Sequence, residues 1–296
     1  MLKQLERHNT FRKLDEYHAN AYHIPDYQDK RFIIFSDAHK GDHRHTLDEF
    51  MPNEAVYCHA LEHYLNEDYG LILNGDMEEG WKNRYADIVE SYEDTVYRLE
   101  SEFARQGEQR YLKIWGNHDA DWRNPMLVRK YLSGVMKHHI RVHPAVMLGD
   151  KILITHGHQG DPNGDTTARF SEWVVRYLWQ PIQWAFDLER HVASTLNVAW
   201  RRREKYLYAW AQAHQFLMIA GHTHRPMFFS EDTHHEPRIT PCYLNAGSCL
   251  SREGITGIEI DRGEIRLVRW HCNEENHACE RTVFHQACLG SLLASI

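Results

Sequence analysis

The sequence predicts an α/β fold, and three observations predict it. Five short apolar runs recur along the chain, at residues 31–37 (RFIIFSD), 69–76 (YGLILNGD), 111–119 (YLKIWGNHD), 151–158 (KILITHGH) and 216–224 (FLMIAGHTH). Each has the length and continuous apolarity of a strand covered on both faces. Segments with a helical apolar period lie between the early runs. Third, every run ends in Asp, Asn or His, which places metal-ligand side chains at the C-terminal edge of a sheet, where sites form in open α/β folds.

The elements follow in chain order. Residues 1–30 are polar with a weak helical pattern, and 31–36 is the first strand. Residues 41–50 are loop-like and rich in charge and His. Residues 52–68 form a helix with Val56, Ala60 and Tyr64 on one stripe, and Gly70 suits its C-terminal stop. Tyr85, Ile88, Val89, Tyr92, Val96, Leu99 and Phe103 recur at spacings of three and four, one apolar helix face. A strand at 111–115 precedes a helix at 125–137 that has Pro125 near its first turn. Strands at 141–148 and 151–155 join through Gly149-Asp150 in hairpin style. No strand is evident from 166 to 214, which reads as two or three helices. This segment holds Trp173, Trp179, Trp184, Trp200 and Trp210, five of the nine tryptophans, and the basic run Arg201-Arg202-Arg203-Glu204-Lys205. Strands resume at 216, 240–244, 254–260 and 264–270, with Asp261-Arg262-Gly263 as a hairpin turn. The pattern of residues 271–296 assigns no element. The organisation is a polar extension (1–30), one domain (31–270) with a helical insertion at about 166–214, and a tail (271–296).

The 296 residues are 42% apolar and 26% charged, ordinary for a globular chain long enough to bury a sizeable core. The formal net charge of −8 argues against non-specific nucleic-acid binding, for which a basic face is expected. No apolar stretch is long enough to cross a bilayer, and the N-terminus is too polar for a secretory segment. The six cysteines form no CxxC pair and read as mostly reduced thiols of a cytoplasmic protein. His271, Cys272, His277, Cys279, His285 and Cys288 match no known zinc-site spacing, so buried thiols are favoured over a structural zinc site.

Taken singly, Asp37-x-His39 and Gly75-Asp76 are weak motifs. Gly116-Asn117-His118-Asp119 is stronger, because a neutral Asn amide is a rare metal ligand, and Gly221-His222-Thr223-His224 offers two imidazoles from one loop. All the blocks in this order resemble the calcineurin-like metallophosphoesterase superfamily over about residues 31–270. The resemblance implies an α/β sandwich of two mixed β-sheets flanked by helices. It implies a first metal on Asp37, His39 and His224, a second on Asn117, His156 and His222, and Asp76 bridging both. It implies that His118 contacts the phosphoryl oxygen or protonates the leaving group, with Asp119 holding its ring in the right tautomer. The mixed N and O ligands suit Mn first, with Fe or Zn as alternatives, and not Ca. Two such ions can share a hydroxide for in-line attack at phosphorus.

Within the superfamily, Gly75-Asp76-Met77-Glu78-Glu79-Gly80-Trp81 and the helical insertion resemble the UDP-2,3-diacylglucosamine pyrophosphatase-like group. The resemblance implies a phosphodiester or pyrophosphate substrate, phosphorylated and small or lipid-linked. Glu79, His158, Arg201, Arg202 and Arg203 are candidate substrate contacts, the arginines through phosphate. The sequence departs from that group at His156-Gly157-His158, where His-Gly-Asp is usual. The Trp-rich insertion is read as a lid for acyl chains, a dimer contact or a contact to a membrane surface. A nuclease or phosphomonoesterase of the same fold, and a non-catalytic scaffold, are the alternatives.

Overall fold

The computed structural model describes residues 2–44, 48–160, 189–228, 242–273 and 278–296. Its strands are β1 (Tyr22–Ile24), β2 (Arg31–Phe35), β3 (Gly70–Asn74), β4 (Tyr111–Ile114), β5 (Val142–His143), β6 (Val146–Leu148), β7 (Ile152–Ile154), β8 (Leu217–Ala220), β9 (Tyr243–Asn245), β10 (Ile255–Asp261), β11 (Glu264–Cys272) and β12 (Cys279–Cys288). The described helices are α1 (Leu2–Ala19), α2 (Glu54–Asn66), α3 (Tyr85–Tyr92), α4 (Arg98–Arg105), α5 (Pro125–Lys130), α6 (Leu132–Met136), α7 (Glu189–His214) and α8 (Leu289–Ser295).

Two mixed sheets result. One runs β12-β11-β10-β2-β3-β4-β5, with β2 to β5 mutually parallel, and the other runs β1-β6-β7-β8-β9. Alternation along each strand sends side chains to opposite faces. Phe32 and Ile34 of β2 meet Ile72, Leu112 and Ile114 and face Ile152, Ile154 and Ile219 across the sheets. Ile33 and Phe35 instead pack with Tyr57, Tyr64 and Phe103 of the helices. On the other sheet, Leu153 and Met218 pack with Leu14, Tyr17, Leu207 and Trp210 of α1 and α7. The order of layers is therefore helices, seven strands, five strands, helices. Strands buried on both faces need apolar residues at every position, which is why the runs were legible as sequence.

Several elements differ from expectation for identifiable reasons. The weak helical pattern at the N-terminus is the helix α1, followed by β1; among its described side chains Thr10, Leu14 and Tyr17 are the buried ones, few enough to leave the pattern faint. The stretch 141–148 is two strands in different sheets, because Pro144 has no N–H for a ladder. The long helix at 85–103 contains a π turn at Glu93–Tyr97, through which Tyr92, Val96 and Tyr97 are all fully buried. The helix at 125–137 divides at Tyr131 and stops at Lys137, whose φ is 55°. In the described part of the tail, β12 pairs with β11, and Leu289 and Leu292 of α8 join the core between the sheets.

The cysteine expectation is corrected in part. Cys272 and Cys279, directly opposed in the β11–β12 register, form a disulfide. Cys58, Cys242, Cys249 and Cys288 are free, and burial pushes the Cys58 thiol up to about 12. Among the described residues no cysteine joins a metal-ligand cluster; His277 lies outside them. No described helix is long and apolar enough to cross a membrane.

His143 carries a pH signature. Its ring lies 4.6 Å from that of Tyr22, and burial pulls the imidazole down to about 4. Its contribution is full above the unfolded value near 6.5 and is lost as pH falls toward 4, since only the unfolded chain takes up the proton there. The loss is at most about 3 kcal/mol, and nearer about 2 after solvent screening. Urea unfolding at pH 7 and pH 4.5 should show a smaller loss in His143→Phe than in the wild type. An equal loss would remove the effect.

Candidate metal centre

Parallel neighbours end side by side, so their C-terminal loops must meet. β2, β3 and β4 deliver residues 36–39, 75–76 and 115–119 at one edge of the larger sheet, and β7 and β8 deliver 155–158 and 221–224 from the smaller one. The loops hydrogen-bond to one another. Asp37 N–H donates to Gly75 O (3.1 Å), His39 N–H to Asp76 O (2.9 Å) and Gly221 N–H to His156 O (2.9 Å). His222 N–H donates to Asp37 Oδ2 (2.9 Å) and His118 N–H to Asp76 Oδ1 (2.8 Å).

This lattice holds a strained backbone. Asp37, His39, Asp76, His222 and His224 all have positive φ, from 49° to 66°. Such residues cost of order 1–3 kcal/mol each and persist only where the surroundings over-determine them, typically at functional sites. Two glycines permit the close approach. Gly75 sits at φ 81° against the His156 ring, and a Cβ on Gly221 would lie 2.5 Å from Asp37 Oδ2.

Among the described residues three ligand clusters result: His39, Glu79 and His118 form one, and the two others carry the expected ligands. Asp37, His39 and His224 bring one ligand atom each within 4.8 Å of one another, and Asp76, His156 and His222 do the same. His224 Nε2 is 3.2 Å from Asp37 Oδ1 and 3.3 Å from His39 Nε2. Asp76 Oδ2 is 3.1 Å from His156 Nε2 and 3.9 Å from His39 Nε2, so this one carboxylate oxygen faces both clusters. Burial disfavours a charged His156, yet Asp76 and Asp37 outweigh it and hold the imidazole up at about 9. Burial likewise opposes the Asp76 carboxylate, but His156 and His118 hold it well below the usual range.

The polar atoms left over test whether cations fit. Asp37 Oδ1, Asn117 Oδ1 and His156 Nε2 are buried and make no hydrogen bond, although buried polar atoms nearly always do. His156 Nδ1 is engaged by Asn74 O (2.8 Å), which leaves Nε2 as the free ligand atom. Orphaned oxygens and nitrogens beside two carboxylates match the donor set of Mn, Fe or Zn.

His118 and Glu79 form the neighbouring group. His118 Nδ1 lies 2.9 and 3.0 Å from the two Glu79 oxygens, and His39 Nδ1 is 3.2 Å from Glu79 Oε2. Burial raises the Glu79 carboxyl, but His118 and His39 reverse this and hold it well below the usual range. The Trp81 indole stacks on His118 at 3.8 Å. One expectation is corrected here. Asp119 does not hold the His118 ring; its oxygens accept from Gly116 N–H (2.6 Å) and Met77 N–H (2.9 Å) and brace the loop. Glu79 lies against that ring instead.

The other residues expected to contact substrate have protein partners of their own where the structure describes them. His158 is buried, with Tyr17 OH 3.4 Å from Nε2 and the His156 ring 5.3 Å away. Arg203 is buried, donating to Gly157 O (2.9 Å), Thr10 Oγ1 (2.8 Å) and Gln159 O, so it ties α7 to α1 and to the loop after β7. Arg202 reaches Glu6 (3.8 Å). The side chain of Arg201 lies outside the described residues, as do those of Trp173, Trp179, Trp184 and Trp200. Trp210 is core and donates to Asp15 Oδ1 (2.8 Å).

Sequence reasoning missed several supports. Ser36 Oγ donates to Asp37 Oδ2 (2.5 Å), and Asn245 Nδ2 donates to Gly221 O (2.7 Å). Glu204 of α7 accepts from Thr223 Oγ1 (3.0 Å) and Arg225 (3.1 Å), bracing the loop that carries His222 and His224. Asn245 closes its apolar strand as Asn74 does, which was the one available signal; nothing local marks Ser36 or Glu204.

The family described as calcineurin-like phosphoesterase matches residues 30–226. No curated protein matches the chain. Among solved structures, vacuolar protein sorting 29 from Cryptosporidium parvum is 11% identical, with 86% of this chain and 97% of that chain covered and a TM-score of 0.38. Wild-type Vps29 complexed with zinc from Entamoeba histolytica is 14% identical, with 86% and 99% covered and a TM-score of 0.38.

Proposed function

The chain belongs to the calcineurin-like phosphoesterase family, and from that premise we propose that it is a phosphoester hydrolase working with two divalent cations. The observation that carries this is the pair of adjoining ligand clusters with Asp76 Oδ2 facing both. Asp37, His39 and His224 would hold one cation, and Asn117, His156 and His222 the other, with Asp76 between them. When bound, such a pair supplies Lewis acidity at the phosphoryl oxygens and a nucleophile from water at neutral pH.

The remaining chemistry belongs to side chains. Asp76 Oδ1 accepts the His118 N–H and so fixes the start of that residue. Glu79 accepts from His118 Nδ1 and favours the imidazolium, leaving Nε2 with a proton to give to the leaving oxygen. Burial lowers the His118 imidazole, but Glu79 and Asp76 more than offset this and raise it. Trp81 limits how the ring can turn.

We infer a phosphodiester or pyrophosphate substrate, phosphorylated and small or lipid-linked, in the manner of the UDP-2,3-diacylglucosamine pyrophosphatase-like group, with Mn as the working metal. The GDMEEGW block and the helix α7 packed against the loops of the centre support that reading. A Mn-supplemented screen of p-nitrophenyl phosphate, bis-p-nitrophenyl phosphate and UDP-sugar lipids tests it; turnover of none of them contradicts it. His118→Ala should lower kcat by about 10²–10⁴ with metal content unchanged. A wild-type rate in that variant would remove the general acid.

A further inference from the structure

A cleft of about 400 Å³ adjoins the metal centre and shares Asn117 and His118 with it. That volume is within the range of small-molecule sites. Trp81, Tyr85 and Leu127 give it two aromatic walls and an aliphatic one, and Arg123 stands at its rim. The Trp81 wall is fixed. Its Nε1–H donates to Asn117 O (2.9 Å), and one indole face lies on His118 with an interplanar angle of 20°. Tyr85 is held against Trp122 at 4.2 Å. Arg123 is exposed and donates through Nε to Ala120 O (3.2 Å); among the described residues its other N–H groups have no partner. Asp121 lines the cleft as well, so it combines rigid aromatic surface with one carboxylate and one guanidinium that has N–H groups to spare, which suits a flat ring whose acceptor or negative group lies on the Arg123 side.

The reaction geometry says what would lie there. A phosphoryl group seated on the two ligand clusters places its leaving oxygen toward His118. What that oxygen carries would then meet the concave surface beside His118, which is this cleft. We propose that the cleft is the leaving-group subsite and that it selects a leaving group carrying a planar ring, with Trp81 as the stacking wall and Arg123 as the contact for an acidic substituent. The proposal rests on the phosphoesterase reading above.

Three probes test it on the full-length, Mn-loaded chain: methylphosphonate, phenylphosphonate and 4-carboxyphenylphosphonate, titrated calorimetrically. Phenylphosphonate should bind about tenfold tighter than methylphosphonate, the scale of one aromatic stacking contact. The carboxyl group should add a further about threefold. Leu127→Trp, which fills the cleft, should bring the phenyl-to-methyl ratio within twofold. Arg123→Ala, at an exposed position, should erase only the carboxylate increment. An aryl preference absent in the wild type, or one that survives Leu127→Trp, overturns the subsite while the metal centre stands. If no phosphonate binds at all, the phosphoesterase reading fails and the subsite with it. Should Leu127→Trp misfold, Trp81→Leu replaces it with the same expected loss of ratio.

Discussion

Replacing Asp76 by Asn should abolish hydrolysis, by about 10³-fold or more, with the fold retained. Removing a single preorganised stabilising group already costs about 10²–10³ in rate, and Asp76 faces both clusters at once. Asn keeps the volume and the oxygen that accepts the His118 N–H, and it tolerates the left-handed backbone that Asp76 adopts at φ 51°. What it lacks is the negative charge that lets one group lie between two cations. His156 also loses the carboxylate that holds it up at about 9. The readouts are bis-p-nitrophenyl phosphate turnover, metal content and the melting curve. A rate within threefold of wild type, with metal content unchanged, would contradict the bridging assignment.

The largest expected effect on stability is from Glu78→Ala, at about 3–5 kcal/mol. Glu78 is fully buried, two residues along the chain from Asp76. It lies 3.1 Å from Lys40 Nζ and 2.9 Å from Lys113 Nζ, and accepts from Trp122 Nε1 (2.7 Å) and Tyr97 OH (3.0 Å). Glu100, also buried, is 3.1 Å from Lys40 Nζ and accepts from Tyr111 OH (2.8 Å). Two lysines and two glutamates thus cancel in a dry interior. Burial alone would raise the Glu78 carboxyl, but Lys113 and Lys40 bring it down to about 2. Alanine leaves two buried ammonium groups facing one carboxylate. Whole domains are stable by only about 5–15 kcal/mol, so the variant should be close to unfolding at 37 °C. Urea titration measures this; a loss under about 1 kcal/mol would show that water or rearrangement rescues the lysines. A Glu78→Met/Lys113→Met pair should recover part of the loss, because apolar packing can replace a buried ion pair.

What was legible in sequence follows from physics that acts locally. Strands buried on both faces must be apolar throughout, and ligands at their ends must be Asp, Asn or His, so both the runs and the clusters stood out. What was not legible depends on where chains fold back. Asp119 is next to His118 in sequence, but the turn aims its carboxylate at the N–H groups of Gly116 and Met77, while Glu79 arrives from another loop. Arg202 and Arg203 are consecutive on a helix and so point about 100° apart; they bind Glu6 and Gly157 O, not one phosphate. The Cys272–Cys279 pairing required knowing that the tail returns as β12. Lys113 sits inside an apolar run, the one visible trace of the buried charge network, yet its partner Glu78 comes from a loop 35 residues earlier, and Glu100 of α4 joins the network only through Lys40.

The most direct measurement is an anomalous difference map from crystals grown with Mn. Two peaks about 3.5–4 Å apart are expected, one beside Asp37, His39 and His224, the other beside Asn117, His156 and His222, with Asp76 contacting both. No peak at these side chains, or a single one that leaves Asp76 uninvolved, would contradict a dinuclear centre in this protein.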